Sequence, residues 1–408
     1  MKMVGDFFSF QNGYAFKSKD FVREGKYKIV KIKELKDGLV KFFDDTAEVN
    51  LPDNFEFDKY IIQKGDVLFA LTGDPVNKPN PLSWVGRVAY YNYDEPALLN
   101  QRVCKAIPKT DIPSDFLYYF FRQNREFYRL ASKATGSASQ ANISTKTIEQ
   151  HNINIPDIEN VKTIVTFLKN IDDKISYNNR INRNLSELLA TMYKHDYLEE
   201  VPNHEEWIEV TMDDITSKFA TGLNPRKNFV LGHGENYYVT IKNMNNNRIY
   251  LDSKCDRVDD EALVKINKRS DLKVGDLLFS GIGTIGRVHL IDEPPINWNI
   301  SESVFTMRPS ELVSSEFLYL LLLSYDMQYY VISLASGSVQ KGIRMADLKR
   351  YKLYLPSKRD MDRMTSNWKP LINQIKKHEK ENDELAVLRD SLLPKLMSGE
   401  LDVSNLKI

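Results

Sequence analysis

The chain states one pattern twice, at an offset of about 200 residues, and this repeat constrains its architecture more than any other feature. Gly13 of NGYAFK aligns with Gly222 of TGLNPR, and Ile32-Lys33 with Ile241-Lys242. Gly65-Asp66-Val67-Leu68-Phe69 then matches Gly275-Asp276-Leu277-Leu278-Phe279, and Gly86-Arg87-Val88 matches Gly286-Arg287-Val288. Further on, Phe116-Leu117-Tyr118 matches Phe317-Leu318-Tyr319 and Gly136-Ser137 matches Gly337-Ser338, while Gln140, Ile143 and Pro156 match Gln340, Ile343 and Pro356. A period this long lies outside the range of solenoid repeats, so each copy is a whole domain rather than one layer of a stack. Two similar surfaces at a set separation suit a target with two separated parts, as in dimeric DNA readers. A one-site enzyme has no obvious use for them.

With 408 residues, 42% hydrophobic and 27% charged, the chain can bury ordinary cores in two domains, and it has no low-complexity character. The opening MKMVGDFFSFQNG lacks an apolar signal core, and no stretch approaches the roughly 20 apolar residues of a membrane span. A soluble, cytoplasmic protein without membrane association is expected. Of the 2 cysteines, Cys104 sits in RVCKAI where the second copy has Phe305, which points to packing rather than redox chemistry. The formal net charge of +0 counts against a uniformly basic nucleic-acid binder, but DNA responds to a local face and not to the sum.

Each half is strand-like over its first three quarters, with runs such as Tyr27 to Lys33, Asp66 to Leu71 and Arg87 to Tyr91 separated by turn residues. One core helix interrupts this pattern in each copy, starting at Ser114 and at Ser315. After Pro156 an apolar seam runs through Ile164, Leu168, Ile171, Ile175, Leu185, Leu189 and Met192, alternating steps of four and three as in a coiled coil. The second copy carries Met364, Trp368, Leu371, Ile375, Leu385 and Leu392. Both seams turn polar at the centre, where Asn178 and Asn182 are expected to face His378 and Asn382. About 30 helical residues would span about 45 Å, longer than a domain core needs, so the helices read as an antiparallel pair of spacers. Two separate amphipathic helices, each packed on its own domain, are the alternative.

Catalytic motifs fail on context. Gly281-Ile282-Gly283-Thr284-Ile285-Gly286 satisfies GxGxxG, but a dinucleotide fingerprint must open a helix, and RVHLI reads as a strand. Pro52-Asp53 with Glu56 and Lys59, and Pro156-Asp157 with Glu159 and Lys162, lack the spacing that aims a carboxylate and a lysine at one metal. The 6 histidines are scattered without HExxH or CxxC partners, so no metal site is expected. Neither a GxxxxGK[ST] loop nor an Asp/Asn-Pro-Pro-aromatic tetrapeptide is present, since Glu293-Pro294-Pro295-Ile296 lacks both ends.

The variable parts of both copies instead hold groups suited to duplex contact: Lys17, Lys19, Asn77, Lys78, Asn80, Gln101 and Arg102 in the first, and Arg226, Lys227, Lys242 and the run Asn243, Asn245, Asn246, Asn247, Arg248 in the second. Lysine and arginine neutralise phosphates or bond guanine, while asparagine and glutamine pair with adenine. Paired loops carry more weight: ATGSASQANIS offers Ser137, Gln140 and Asn142, and ASGSVQKGIR offers Ser338, Gln340, Lys341 and Arg344. Small residues there let backbone amides approach a phosphate. Thr284 of the glycine loop joins this set as part of a hairpin turn.

NGYAFKSKDF, KGDVLF and VGDLLF, the loops ATGSASQ and ASGSVQKGI ending at NIP and YLP, and the terminal LRDSLLPKLMSGEL together resemble the specificity subunit of Type I restriction-modification systems across essentially the whole chain. That resemblance implies an α+β protein: two pseudo-twofold-related, strand-rich target recognition domains separated by two long helices that form an antiparallel coiled coil. The expected division is a first recognition domain over 1–157, a spacer helix over 158–200, a second domain over 201–357 and a C-terminal spacer over 358–408. Helix pairing would rest on Ile171, Ile175, Asn178, Asn182 and Leu185 against Leu371, Ile375, His378, Asn382 and Leu385. It further implies a noncatalytic reader of double-stranded DNA that docks two adenine-methylating subunits and restriction subunits. S-adenosylmethionine, ATP and Mg are expected on those partners and no cofactor on this chain. A reader for a solitary methyltransferase or another defence system, and a coiled-coil scaffold that does not bind DNA, remain the alternatives.

Overall fold

The strand Val67–Ala70 is buried at all four positions, and its side chains alternate between two cores. Val67 and Phe69 join the core that also holds Phe116, Leu117 and Phe121, while Leu68 and Ala70 join Val30, Leu35 and Leu99 on the other side. Leu277–Ser280 repeats the arrangement, with Leu277 and Phe279 facing Phe317 and Leu318, and Leu278 facing Val239 and Ile300. A continuous apolar run buried on both faces is what a central strand requires. The computed structural model describes residues 2–51, 57–78, 80–137, 139–335, 342–401 and 403.

The chain divides into two units, Met1–Ser176 with Asn382–Ile408, and Tyr177–Glu381. In the first, a six-stranded sheet runs in the order Phe8–Asn12, Val103–Pro108, Val67–Ala70, Val88–Tyr90, Leu39–Val40, Leu35–Lys36. Beside it lies a five-stranded sheet in which Ala97–Leu99 pairs parallel to Tyr27–Val30. The second unit has a four-stranded sheet of Thr216–Thr221, Val304–Pro309, Leu277–Ser280 and Val288–Leu290, and a smaller sheet in which Trp298–Ile300 pairs parallel to Asn236–Val239. Cys104 lies opposite Phe69 and is fully buried, with burial pushing its thiol pKa well up. Phe305 lies opposite Phe279 at the matching place.

The core helices Ser114–Arg122 and Ser315–Leu323 form as expected, but each is followed by a second helix, Asn124–Ala131 and Tyr325–Leu334. Gln123 and Ser324, both in extended conformation, make the elbow. The expectation of one helix per copy is thus corrected. In the first copy the periodicity is hidden because Glu126 occupies a buried position, where it accepts from Arg129 and meets His151 Nε2 at 3.0 Å. The helix Asp260–Ser270 was also missed, although Asp259 caps it by accepting from Ala262 N at 2.8 Å. No single helix among the described residues is long and apolar enough to cross a membrane. The bent pair at Ser315–Leu334 has that composition because Phe317 to Leu322 fill the core.

The long helices span Ile158–Tyr193 and Lys358–Ser398. Within the first unit, Val161, Ile164, Val165 and Leu168 share one core with Leu393, Leu396 and Met397 and with the elbow helices, and Ile171 is buried further along the helix. Within the second, Leu189 and Tyr193 meet Met364, Trp368, Ile372 and Ile375 in the core of that unit. Helix pairing and packing on the local domain, posed as alternatives, therefore coexist. The pairing is antiparallel: Asn178 Nδ2 donates to Glu381 at 2.8 Å, and four residues on, His378 Nδ1 meets Asn182 Oδ1 at 2.8 Å. Asn182 Nδ2 donates to the Ile375 carbonyl, and Gln374 meets His378 Nε2 at 2.6 Å. The polar centre is real, and Asn178 also meets the unforeseen Glu381. Asn382 is buried in the first unit, where Leu385 is half-buried. Ile175, Leu185 and Leu371 sit at the rim, and Ile372 takes the enclosed position beside Leu371.

Candidate nucleic-acid interface

In the first unit the chain leaving Val67–Ala70 runs through Leu71 into Thr72–Gly73, which pairs with Gln140–Asn142 in the register Thr72 to Asn142. Gln140–Asn142 pairs in turn with Thr135–Ser137, so the loop ATGSASQAN is a two-stranded ribbon. Gly136 has φ 140, and a Cβ there would lie 2.3 Å from the Gln140 carbonyl oxygen, a position only glycine can hold. Thr135, Gly136, Ser137 and Gln140 are exposed. Ser137 Oγ accepts from Gln140 N at 3.2 Å, and Asn142 Oδ1 accepts from Thr72 Oγ1 at 2.8 Å.

Backbone bonds join three other segments to this ribbon. Leu71 N donates to Arg102 O and Ile143 N to Leu71 O, while Gln101 N donates to Tyr14 O. A Cβ on Gly13 would stand 2.2 Å from Asn100 O, so the landmark glycine permits two backbones to cross closely. Gln101 and Arg102 are thus joined through Leu71 to the ribbon of Ser137, Gln140 and Asn142, and the exposed Lys17 and Lys19 follow shortly after Tyr14, which Gln101 bonds. Lys78 belongs to the loop 74–84 that continues from Gly73.

The second unit repeats this arrangement. A Cβ on Gly222 would lie 1.7 Å from Ile300 O, and the chain beyond it turns through the exposed Arg226 and Lys227. Gly281 N donates to Ser303 O and Ile343 N to Gly281 O, and Ile282 bridges Gly342. This brings Thr284, exposed in the loop 281–286, and the exposed Arg344 to the same lip. Ser338, Gln340 and Lys341 lie outside the described residues. The glycine loop joins antiparallel strands Leu277–Ser280 and Val288–Leu290 and opens no helix, in line with the hairpin reading.

Two expectations change. Asn243 is 5% exposed, and its Oδ1 accepts from Thr240 N and Oγ1, so it caps the turn Ile241–Asn243 and has no free edge for a base. Asn246 and Asn247 have φ 48 and 58, the conformation a two-residue hairpin demands between Met244–Asn245 and Arg248–Ile249. Arg248 faces Glu379 at 3.6 Å. That asparagine run is turn chemistry. Lys242 stays exposed on the same turn.

Lys17, Lys19, Lys78, Arg102, Arg226, Lys227, Lys242 and Arg344 form no ion pair among the described residues. Elsewhere many cations are neutralised, as Lys105 is by Asp66 at 3.1 Å and Lys349 by Asp213 at 2.7 Å. Exposed cations without a carboxylate partner are what a phosphate backbone attracts.

Supporting residues went unnoticed in the sequence. Arg87 Nη2 donates to the Ile32 carbonyl at 3.3 Å and Arg287 Nη1 to the Ile241 carbonyl at 2.9 Å, so the repeated Gly-Arg pair ties each interface loop to the same turn. Glu302 accepts from Asn224 at 2.7 Å and from the Tyr238 hydroxyl at 3.0 Å, fixing the segment that carries Arg226. Burial, then Glu302, pushes the Tyr238 pKa up. The repetition of Gly-Arg was the available signal for the first pair. His204, Glu206 and Asp360 also cluster, within 4.8 Å. His204 turns Nδ1 to Glu206 and Nε2 to Glu200 and stacks on Trp207, and its pKa is raised, first by the bond to Glu206. Both ring nitrogens are thus already engaged by carboxylates.

The family model described as Type I restriction modification DNA specificity domain matches the chain twice, over residues 1–187 and 204–386. Among curated relatives, the Type I restriction enzyme EcoBI specificity subunit of Escherichia coli is 26% identical over 431 residues, covering 96% of this chain and 83% of that protein. The MjaIX specificity subunit of Methanocaldococcus jannaschii is 22% identical over 330 residues, covering 76% and 74%. The crystal structure of a Type I restriction-modification S subunit from M. genitalium shares the fold, with a TM-score of 0.59 at 17% identity over 97% of this chain and 95% of that one. Two matched domains, each ending in a long helix and each exposing the same lip of backbone-linked loops, place this chain in the family of Type I restriction-modification specificity subunits.

Proposed function

We propose that each unit reads one half of a split double-stranded DNA target, and that the long helices set the gap between the halves and dock two methyltransferase subunits. Loops on the two edges enter the duplex grooves, base contacts choosing sequence and phosphate contacts fixing register. This chain performs no chemistry: adenine methylation with S-adenosylmethionine, and ATP- and Mg-dependent restriction, belong to the partner subunits. Gln101, Gln140 and Arg344 are the candidates for base edges, and Lys17, Lys19, Lys78, Arg102, Arg226, Lys227 and Lys242 for phosphates. Ser137, Asn142 and Thr284 would contribute hydroxyl, amide and backbone contacts.

The observation that carries this reading is the recurrence, in two units of unlike loop sequence, of one edge that gathers exposed cations with no ion pair among the described residues. Arg344→Ala tests it through the modification pattern of the assembled complex. Relaxed preference in one half of the target, with the other half intact, is expected. Equal loss in both halves would contradict it.

A further inference from the structure

We propose that each interface loop is seated on the second elbow helix of its own unit, and that loop and seat together form the element that sets base preference. This rests on the DNA reading above. In the first unit the loop 74–84 is closed at its neck by Asp74 N to Ser83 O and Val85 N to Asp74 O. Inside it, Trp84 Nε1 donates to the Lys78 carbonyl at 2.9 Å, so the indole fixes the backbone that carries Lys78. The same indole packs on Phe127 and Tyr128 of the helix Asn124–Ala131, each at 6.0 Å between centroids. Gly86, at φ 83, follows at once and stands against Leu130 of that helix.

The second unit seats a shorter loop by a different contact. Gln328 occupies the place of Phe127, and its Nε2 donates to the Gly286 carbonyl at 3.0 Å and to Leu322 O at 2.7 Å. Gly286 has φ 91, and a Cβ there would lie 2.3 Å from Gln328 Oε1, so the glycine and the amide fit each other. Ser280 Oγ spans the base of the loop by donating to Thr284 O at 2.6 Å. An eleven-residue loop is held by aromatic area and a short one by a single amide. A loop ordered in advance does not lose its freedom on meeting DNA, and its polar groups then discriminate more sharply. Trp84 and Gln328 are positioning residues that touch no base.

The test uses the full chain in complex with its methyltransferase. Trp84→Ala should speed amide exchange across residues 76–83 and lower discrimination in the first half-site about tenfold, with the second half-site unchanged. Trp84→Phe, which keeps ring packing, should restore most of it. Gln328→Ala should do the converse, loosening 282–285 and relaxing only the second half-site. Unchanged exchange in both alanine variants would overturn the seat. Faster exchange with unaltered base preference would overturn its role in specificity, and equal loss at both half-sites would mark a global folding defect and sink the assignment. Absence of any split target in the unmodified complex would instead refute the DNA reading, while exchange still decides whether the loops are seated.

Discussion

Asp172 on the first long helix receives Arg389 Nη1 from the second at 2.5 Å, and its other oxygen accepts the Tyr119 hydroxyl at 3.0 Å. Three elements of the first unit thus converge on one carboxylate. Arg389 is only 9% exposed and also pairs with its neighbour Asp390 at 2.7 Å, so removing Asp172 leaves a buried cation with one carboxylate in place of two. Asp172→Ala should cost about 1–3 kcal/mol, the loss of charged hydrogen bonds rather than of a sole counter-ion, and Asp172→Asn clearly less, in urea unfolding followed by tryptophan fluorescence and circular dichroism. A loss below 1 kcal/mol would mean that solvent already compensates Arg389 there.

Acid should weaken the second unit through His289. Its ring is half-buried, Nδ1 bonds the Asn247 carbonyl at 3.2 Å, and burial, followed by Lys376 and Arg248, pushes its pKa down to about 3. The folded value lies below the unfolded one near 6.5, so this contribution is complete above pH 6.5 and is lost as pH falls toward 3. The slope from one such proton is at most about 1.4 kcal/mol per pH unit. His289→Gln should flatten the acid limb of a stability profile between those limits, and an unchanged limb would show that other groups govern it.

Lys17 and Lys19 are exposed on the edge of the first unit and form no ion pair among the described residues. Replacing both with alanine should weaken DNA binding about equally for all sequences and reduce the salt slope by about 2. A change in base preference with an unchanged slope would assign them to bases instead.

The helix pair offers a separate handle. Inserting about four residues, one helical turn, between Ile175 and Leu185 should change the spacing between half-sites while both half-sequences persist. An unaltered spacing would remove the helices from that role.

Much of this architecture was legible because the repeat, the buried central strands and the heptad seams are long, periodic signals. Gly13 and Gly222, landmarks of the repeat, are where backbones cross closely. What stayed hidden depended on contacts distant in sequence. Glu126 disguised a helix because His151, 25 residues away, accommodates its carboxylate in the core. The Asn243 to Asn247 run looked like base-reading chemistry because asparagine serves adenine contacts and left-handed turns equally well. Trp84 gave no sign of its role, since Phe127 and Tyr128 stand more than 40 residues downstream.

The most direct test of the central claim is to express this chain with its methyltransferase in a host without adenine methylation and map modified bases across the genome. The account predicts a split motif with one fixed gap. A continuous motif, or no modification from a complex that co-purifies intact, would contradict it.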